Sequence, residues 1–316
     1  INDYTRAIEL YPDFANAYLG RSALRYMLND MQGSRSDKET ADKKIAEYRS
    51  KLTDSSFSVY ADTSKRFNQL LSFDASMGGS EGMQRMTARS SNIALLPMFK
   101  FSMVRPDTVP VRTVYFVPRV EQFRTEVADP YVKLVNRDSD FPTDSLFAFD
   151  RAIEDSLRYN RPSWQLLFKR GITQSLIRQY TGSISNYTAA IDLDPSNPFL
   201  YINRSTTQSE MVDFISSIDN GYQRITVDND PASQLKSNSS RSYNYDDAIA
   251  DLNKAAKLNP NLPCIYYNRG NLFALSGRFP EAFEEYSHAI ALDPGLAEAY
   301  FNRGLVQIYM KDTRKG

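Results

Sequence analysis

The chain has 316 residues, with 38 Lys and Arg against 38 Asp and Glu, so no net cationic field draws it to nucleic acid or to an anionic membrane surface. One cysteine, Cys264, and one histidine, His288, exclude an internal disulfide, a thiolate zinc site and any triad needing more than that single imidazole. No apolar run approaches the roughly 20 residues that span a bilayer, which excludes direct membrane insertion by a helix. In chain order, Tyr4, Ala7, Leu10 and Pro12 have the spacing of the end of an amphipathic helix, and Tyr18, Arg21 and Ser22 that of a helix following it. Residues 1–30 therefore read as the end of one helix pair and the first helix of the next.

Met31 to Leu52 is highly charged, with Ile45, Tyr48 and Leu52 on one side, and reads as a mostly solvated helix prolonging the expected second helix of that pair. A loop over 53–64 follows, then a short helix at Phe67, Leu70, Leu71 and Phe73. Ser76 to Ser91, with Gly78, Gly79 and Gly82, reads as a flexible connection. From Asn92 to Arg137 the period changes. Met98, Phe99, Phe101 and Met103 approach strand alternation, as do Val111, Thr113, Tyr115 and Val117, with Arg105 to Pro110 as the turn of a hairpin. Val120, Phe123 and Val127 return to helical spacing after Pro118, and Tyr131 to Val135 is strand-like again. Residues 31–142 are thus expected to be an inserted α+β segment with a β-hairpin.

Residues 143–316 are periodic. Thr143 is placed to cap a helix that buries Phe147, Ala148, Ala152 and Ile153. Leu167, Arg170, Gly171, Tyr180, Ser183, Tyr187, Ala190 and Pro195 form a complete helix-turn-helix unit, and Tyr201, Asn203, Arg204 and Ser205 begin the next. Val212 to Ile218 prolongs that helix. A polar loop insertion at about 215–243 follows, richest in Ser, Asn and Asp from Asp228 to Ser242. Tyr245, Ala248, Leu252, Ala255 and Pro260 then repeat the spacing of Phe279, Ala282, Tyr286, Ala289 and Pro294. Gly270 and Gly304 lie 34 residues apart, each within Asn-Arg-Gly and each preceded by two aromatics. Small residues at Gly270 and Ala282 let two helices approach while Tyr286 fills the space beside them. Gly277 is placed to end the first helix in a left-handed conformation, and Pro280 suits the first turn of the second.

This 34-residue period resembles the tetratricopeptide repeat (TPR), and the pattern extends over about half the chain. The resemblance implies a mainly α fold, a right-handed TPR solenoid of helix-turn-helix repeats interrupted by the small α+β insertion, with TPR segments at 1–30 and 143–316. Because the chain begins at Ile1 in mid-helix and stops at Gly316 just after a first helix, it reads as a piece of a longer array. In TPR superhelices the first helices line a concave groove. Here that face carries Phe168 and Ile172, then Phe199, Ile202 and Thr206, then Tyr267 and Asn271, then Phe301, Leu305 and Ile308. Asn203, Asn268 and Asn302 match the asparagine ladder by which some TPR superhelices hold the backbone of an extended peptide, a ladder broken at Lys169 and Gly20. Phe168, Ile202, Tyr267 and Phe301 stand where chaperone-tail binders carry a carboxylate clamp, which argues against a clamp. Arrays with Tyr-x-Asn-Arg-Gly first helices and an insertion of this kind look like exported TPR proteins of Bacteroidetes-type bacteria, implying the periplasm or cell envelope and a place in a larger complex.

The sequence singles out no catalytic, cofactor-binding or metal-binding residue. His288 lies among Glu284, Glu285 and Ser287 on a solvated face, the side chains of Asp246-Asp247 and of Glu284-Glu285 diverge on their helices, and Gly78 to Gly82 lacks the Lys-Ser/Thr ending of a phosphate loop. The expected function is a non-enzymatic scaffold that takes a protein or peptide segment in the groove. Two alternatives stay open. One is a structural subunit of an envelope complex, docked through an outer face or the insertion. The other is a small catalytic domain within the insertion, for which clustered Asp and Arg in one pocket would be the sign.

Overall fold

The computed structural model describes residues 1–51, 95–105, 117–137, 139–226 and 244–313. In chain order these form α1 (Asn2–Leu10), α2 (Ala15–Met27), α3 (Met31–Lys51), β1 (Lys100–Met103), α4 (Pro118–Val127) and β2 (Val132–Val135). Then come α5 (Thr143–Tyr159), α6 (Trp164–Leu176), α7 (Tyr180–Leu193), α8 (Pro198–Thr226) and α9 (Asp246–Leu258), followed by α10 (Pro263–Leu275), α11 (Phe279–Leu292) and α12 (Ala297–Thr313). The fold is mainly α, with helices packed pairwise. Contacts divide it into two units, residues 142–260 and residues 1–141 with 261–316.

The pairs α6–α7 and α10–α11 close in the same way. A Cβ on Gly171 would lie 2.5 Å from a ring carbon of Tyr187, and one on Gly270 would lie 2.7 Å from Tyr286. Both rings are buried, so the glycines are what let α6 meet α7 and α10 meet α11. Twelve residues on, Ala282 is fully buried, while Ser183 at the same place donates to the Gly171 carbonyl at 2.7 Å. The first helices also stop alike. Gly277 sits at φ +73°, and the corresponding Arg178 and Asn29 take φ 62° and 66°. In each case the next N–H reaches back to a carbonyl five residues earlier, as with Arg278 to Phe273 at 2.8 Å.

A recurring arginine fixes the second helix against the first. Arg269 forks onto Glu285 at 2.9 and 2.8 Å, Arg21 onto Asp37 at 2.9 and 2.7 Å, and Arg204 onto Asp251 at 2.8 and 2.6 Å. Arg303 makes the same fork, at 3.0 and 2.7 Å, with Asp3 on α1. Thus α12 and α1 pair as the two helices of one repeat, with Tyr4 edge-on to Phe301 at 5.4 Å, and the packing continues from α1 to α2 and from α2 to α3. Where the downstream acid is replaced by Asn186, Arg170 turns instead to Asp150 at 3.4 Å and Glu154 at 3.1 Å on α5.

Those acids bear on α3 and α5, and the start of α5 departs from the sequence reading as well. First, α3 is the partner of α2, as expected of a helix prolonging the second helix of that pair: Asp37, held by Arg21 and by Arg25 at 2.9 Å, and Ala41 are its buried residues. Second, α5 turns Leu146 and Asp150 inward and leaves Phe147 39% exposed, because Asp150 serves Arg170 and accepts from Thr173. Third, Thr143 is the first helical residue, and Pro142 occupies the cap position without a side-chain bond.

In the insertion, β1 pairs antiparallel with β2, from Lys100 opposite Val135 to Met103 opposite Val132. The described partner of the first strand is therefore 132–135, and residues 106–116, the remainder of the expected hairpin, lie outside the described residues. So do the segments read as 53–64, 67–73, 76–91 and 228–242. Helix α4 starts at Pro118 and buries Val120, Phe123 and Val127, with Phe123 4.7 Å from Phe101 of β1.

Candidate functional site

Immediately before β1, residues 95–99, which belong to no helix or strand, run along side chains of α10 and α12. Asn268 holds Phe99 at both ends of its amide: Nδ2 donates to the Phe99 carbonyl and Oδ1 accepts from its N–H, each at 2.7 Å. Three residues back, Asn302 Oδ1 accepts from the Leu96 N–H at 2.9 Å. The Leu96 carbonyl accepts from Asn271 Nδ2 at 2.8 Å and from the Tyr267 hydroxyl at 3.1 Å, and Tyr267 also reaches the Pro97 carbonyl at 3.2 Å. Asn302 Nδ2 stands 3.4 Å from the same Leu96 oxygen. Each of these bonds goes to a peptide group and is blind to the side chain that follows it.

The amides are aimed from behind. Tyr286 donates to Asn271 Oδ1 at 2.7 Å, and Asn302 Nδ2 donates to Asn271 Oδ1 at 2.9 Å and to the Tyr267 oxygen at 3.0 Å. Burial pushes the Tyr286 hydroxyl well above its usual range, so it stays a donor at neutral pH. The apolar part of the site is the ring of Tyr267, which Phe99 meets edge-on at 5.1 Å, and Leu95 and Phe99 are the buried side chains of the segment.

Of the residues read from the sequence as groove-lining, Tyr267, Asn268, Asn271 and Asn302 come together here. Phe301 turns toward Tyr4 and Phe14, 5.4 and 5.2 Å away, and belongs to the core between α12, α1 and α2. Ile308 packs partly buried on that same core, and Leu305 is partly buried. Phe168, Ile172, Phe199, Ile202 and Asn203 lie in the unit of residues 142–260, all buried; Phe168 packs on Tyr187 at 5.7 Å, and Asn203 donates to the Tyr187 hydroxyl at 3.2 Å. What the sequence reading missed is the occupant. Leu95 to Phe99 is an apolar run with a proline at its centre, and nothing in those side chains names the backbone contacts they bring.

Other chemistry-bearing groups have packing roles. The Arg105 backbone donates to Asp140 at 2.9 Å, its guanidinium reaches the Asp140 carbonyl at 3.1 Å, and Arg137 lies 4.0 Å from the carboxylate, tying the end of β1 to the segment after β2. Burial drives the Cys264 thiol up to about 12, which keeps it protonated. His288 is exposed and stacks on Tyr266 at 3.9 Å. Among the described residues no group of three or more His, Cys, Asp or Glu could hold a metal ion, and no helix is long and apolar enough to cross a membrane.

A TPR family model matches residues 244–277 and 270–308. No curated protein matches the chain. Among solved structures, the first TPR of Spaghetti bound to an HSP90 peptide is 22% identical over 47% of this chain and 93% of that one, with a TM-score of 0.34. YrrB, described as a TPR protein with an unusual peptide-binding site, is 12% identical over 98% and 97%, with a TM-score of 0.35. Yeast Tom70 is 16% identical over 92% of this chain and 57% of that one, with a TM-score of 0.32. At such scores these likenesses carry no argument, and the family match covers residues 244–308 alone.

Proposed function

We propose that this chain, a tetratricopeptide-repeat protein, is a non-enzymatic scaffold that holds an extended protein segment against α10 and α12. Repeats of this family typically serve as protein-binding scaffolds and are usually non-catalytic. The observation that carries the reading is the Asn268 amide, which presents a donor and an acceptor to the peptide groups of one residue, with Asn302 and Asn271 repeating the contact three residues earlier. A buried amide of this kind needs such a partner, since leaving one unpaired costs about 1–3 kcal/mol. All the groups that meet the backbone are neutral, so binding should depend weakly on salt. The envelope location and the larger complex implied by the family resemblance belong to the same proposal and rest on that resemblance alone.

The test is a library of decapeptides of random sequence, screened for binding to the parent chain and to Asn268→Ala/Asn302→Ala. Bound peptides should be enriched in apolar and aromatic residues, persist at about 0.5 M salt, where the Debye length falls to roughly 4 Å, and fall away with the double variant. Equal binding by the double variant, or loss of binding in salt, would move the interaction to another surface.

A further inference from the structure

We infer that residues 95–99 are an internal ligand of this groove, and that the external partner is an extended apolar segment of the same pattern, admitted only as the internal one leaves. The inference rests on the peptide-binding reading above and adds the ligand class and the way access is controlled.

Three observations carry it. The polar contacts described to 95–99 from Tyr267, Asn268, Asn271 and Asn302 are all to main-chain atoms. Any chain that follows the same backbone course therefore reproduces them without sharing its sequence. The segment also displays what such a chain needs: an apolar side chain at the first position and an aromatic at the fifth, as Leu95 and Phe99 are buried while Leu96, Pro97 and Met98 are partly exposed. A proline is suited to the third place, where the groove engages a carbonyl and Pro97 has no N–H to satisfy. Finally, the ladder between β1 and β2 begins at Lys100, so residues 95–99 can leave the asparagines without the paired strands coming apart.

An occupant on the same chain competes at a high effective concentration, and an external segment binds only for the fraction of time the groove is vacant. Weakening the internal segment should therefore strengthen external binding, the reverse of what removing a groove residue does.

The probe is a fluorescein-labelled peptide of residues 95–103, titrated into the full chain and followed by polarisation. Leu95→Ala/Phe99→Ala in the protein should bind it at least tenfold tighter than the parent. Adding Asn268→Ala to that variant should cost at least tenfold, as should replacing the peptide's own fifth residue, Phe, by Ala. Circular dichroism checks that the variants fold. Should the weakened variant fail to fold, amide exchange on the parent gives the same answer: saturating peptide should speed exchange at Phe99 at least tenfold, and unchanged exchange overturns the inference. Equal affinity of parent and weakened variant, still abolished by Asn268→Ala, would refute the internal competition and leave the groove reading standing. No binding by any folded variant would refute the ligand class; the groove reading itself would fall only if the random library also found nothing.

Discussion

The pairs α6–α7 and α10–α11 share one closure and differ in what their first helices present. Where α10 has Tyr267, Asn268 and Asn271, α6 has Phe168, Lys169 and Ile172. Phe168 and Ile172 are buried, as are Tyr267, Asn268 and Asn271. A buried phenyl or aliphatic chain needs only neighbours, whereas a buried hydroxyl or amide needs partners of its own. On α10 those partners are the peptide groups of residues 96–99. The two pairs teach that the helix closure and the recognition surface are independent. Gly, Ala or Ser, and Tyr set the closure, and changes at three positions beside the glycine convert an apolar face into one that reads backbone.

The largest effect should come from attacking what the pairs share. Ala282→Arg forces a guanidinium into the α10–α11 interface and should lower stability by on the order of several kcal/mol, with Ser183→Arg comparable in α6–α7. His288→Arg, on an exposed position, should stay within about 0.5 kcal/mol. Urea midpoints decide it, and equal midpoints for Ala282→Arg and His288→Arg would contradict the common closure.

The contrast itself is tested by making α10 resemble α6. Tyr267→Phe with Asn271→Ile removes the donors to the Leu96 and Pro97 carbonyls, at about 1–3 kcal/mol for each carbonyl left unpaired. Amide exchange at Leu96 and Phe99 should accelerate while the helices α10 and α11 stay protected. Unchanged exchange would mean that the segment is held by its side chains and that the polar positions on α10 are incidental.

A smaller difference is expected between the arginines. Arg269 makes two short bonds to Glu285, and Arg170 makes longer contacts with two acids. Double-mutant cycles should give a coupling of roughly 1–2 kcal/mol for Arg269 with Glu285 and about half of that for Arg170 with Asp150, both reduced by partial exposure. Equal couplings would show that the fork geometry adds nothing over a loose charge pair.

The smallest effect concerns Glu298 on α12, which accepts from Asn136 at 3.2 Å and whose carboxyl burial pushes above its usual range. A raised folded value means that the unfolded chain loses this proton first, so stability falls as pH rises through the folded value. Glu298→Gln keeps an acceptor for Asn136 and removes the charge. It should melt higher than the parent at neutral pH, with the two converging below about pH 4, where the carboxyl is protonated in both states. A constant gap across that range would assign the effect to packing.

Much of the repeat was legible because its signals are local. The glycine, small residue and tyrosine of α6–α7 and α10–α11 recur at the same spacing, and Gly277 and Pro280 mark the turn between α10 and α11 where the structure has it. The face of α5 was not legible, since periodicity counts apolar residues and the inward residue there is a carboxylate answering Arg170. Asp37 of α3 was not legible for the same reason: in a helix read as mostly solvated it is the buried half of a fork. The asparagines of the groove stood out in the sequence, but their occupant did not.

What the sequence alone determined is the register of the helix pairs, because close approach of two helices leaves a side-chain signature every 34 residues. The tertiary structure decided the partners that no spacing encodes. Arg303 finds its acid at Asp3, and Asn268 finds its backbone at Phe99, 169 residues away. A carboxylate is interchangeable with any other that reaches the same place, and a peptide group is identical at every residue. Interactions made through such groups leave no pattern in the sequence of the segment that supplies them, and only the folded path of the chain selects which one arrives.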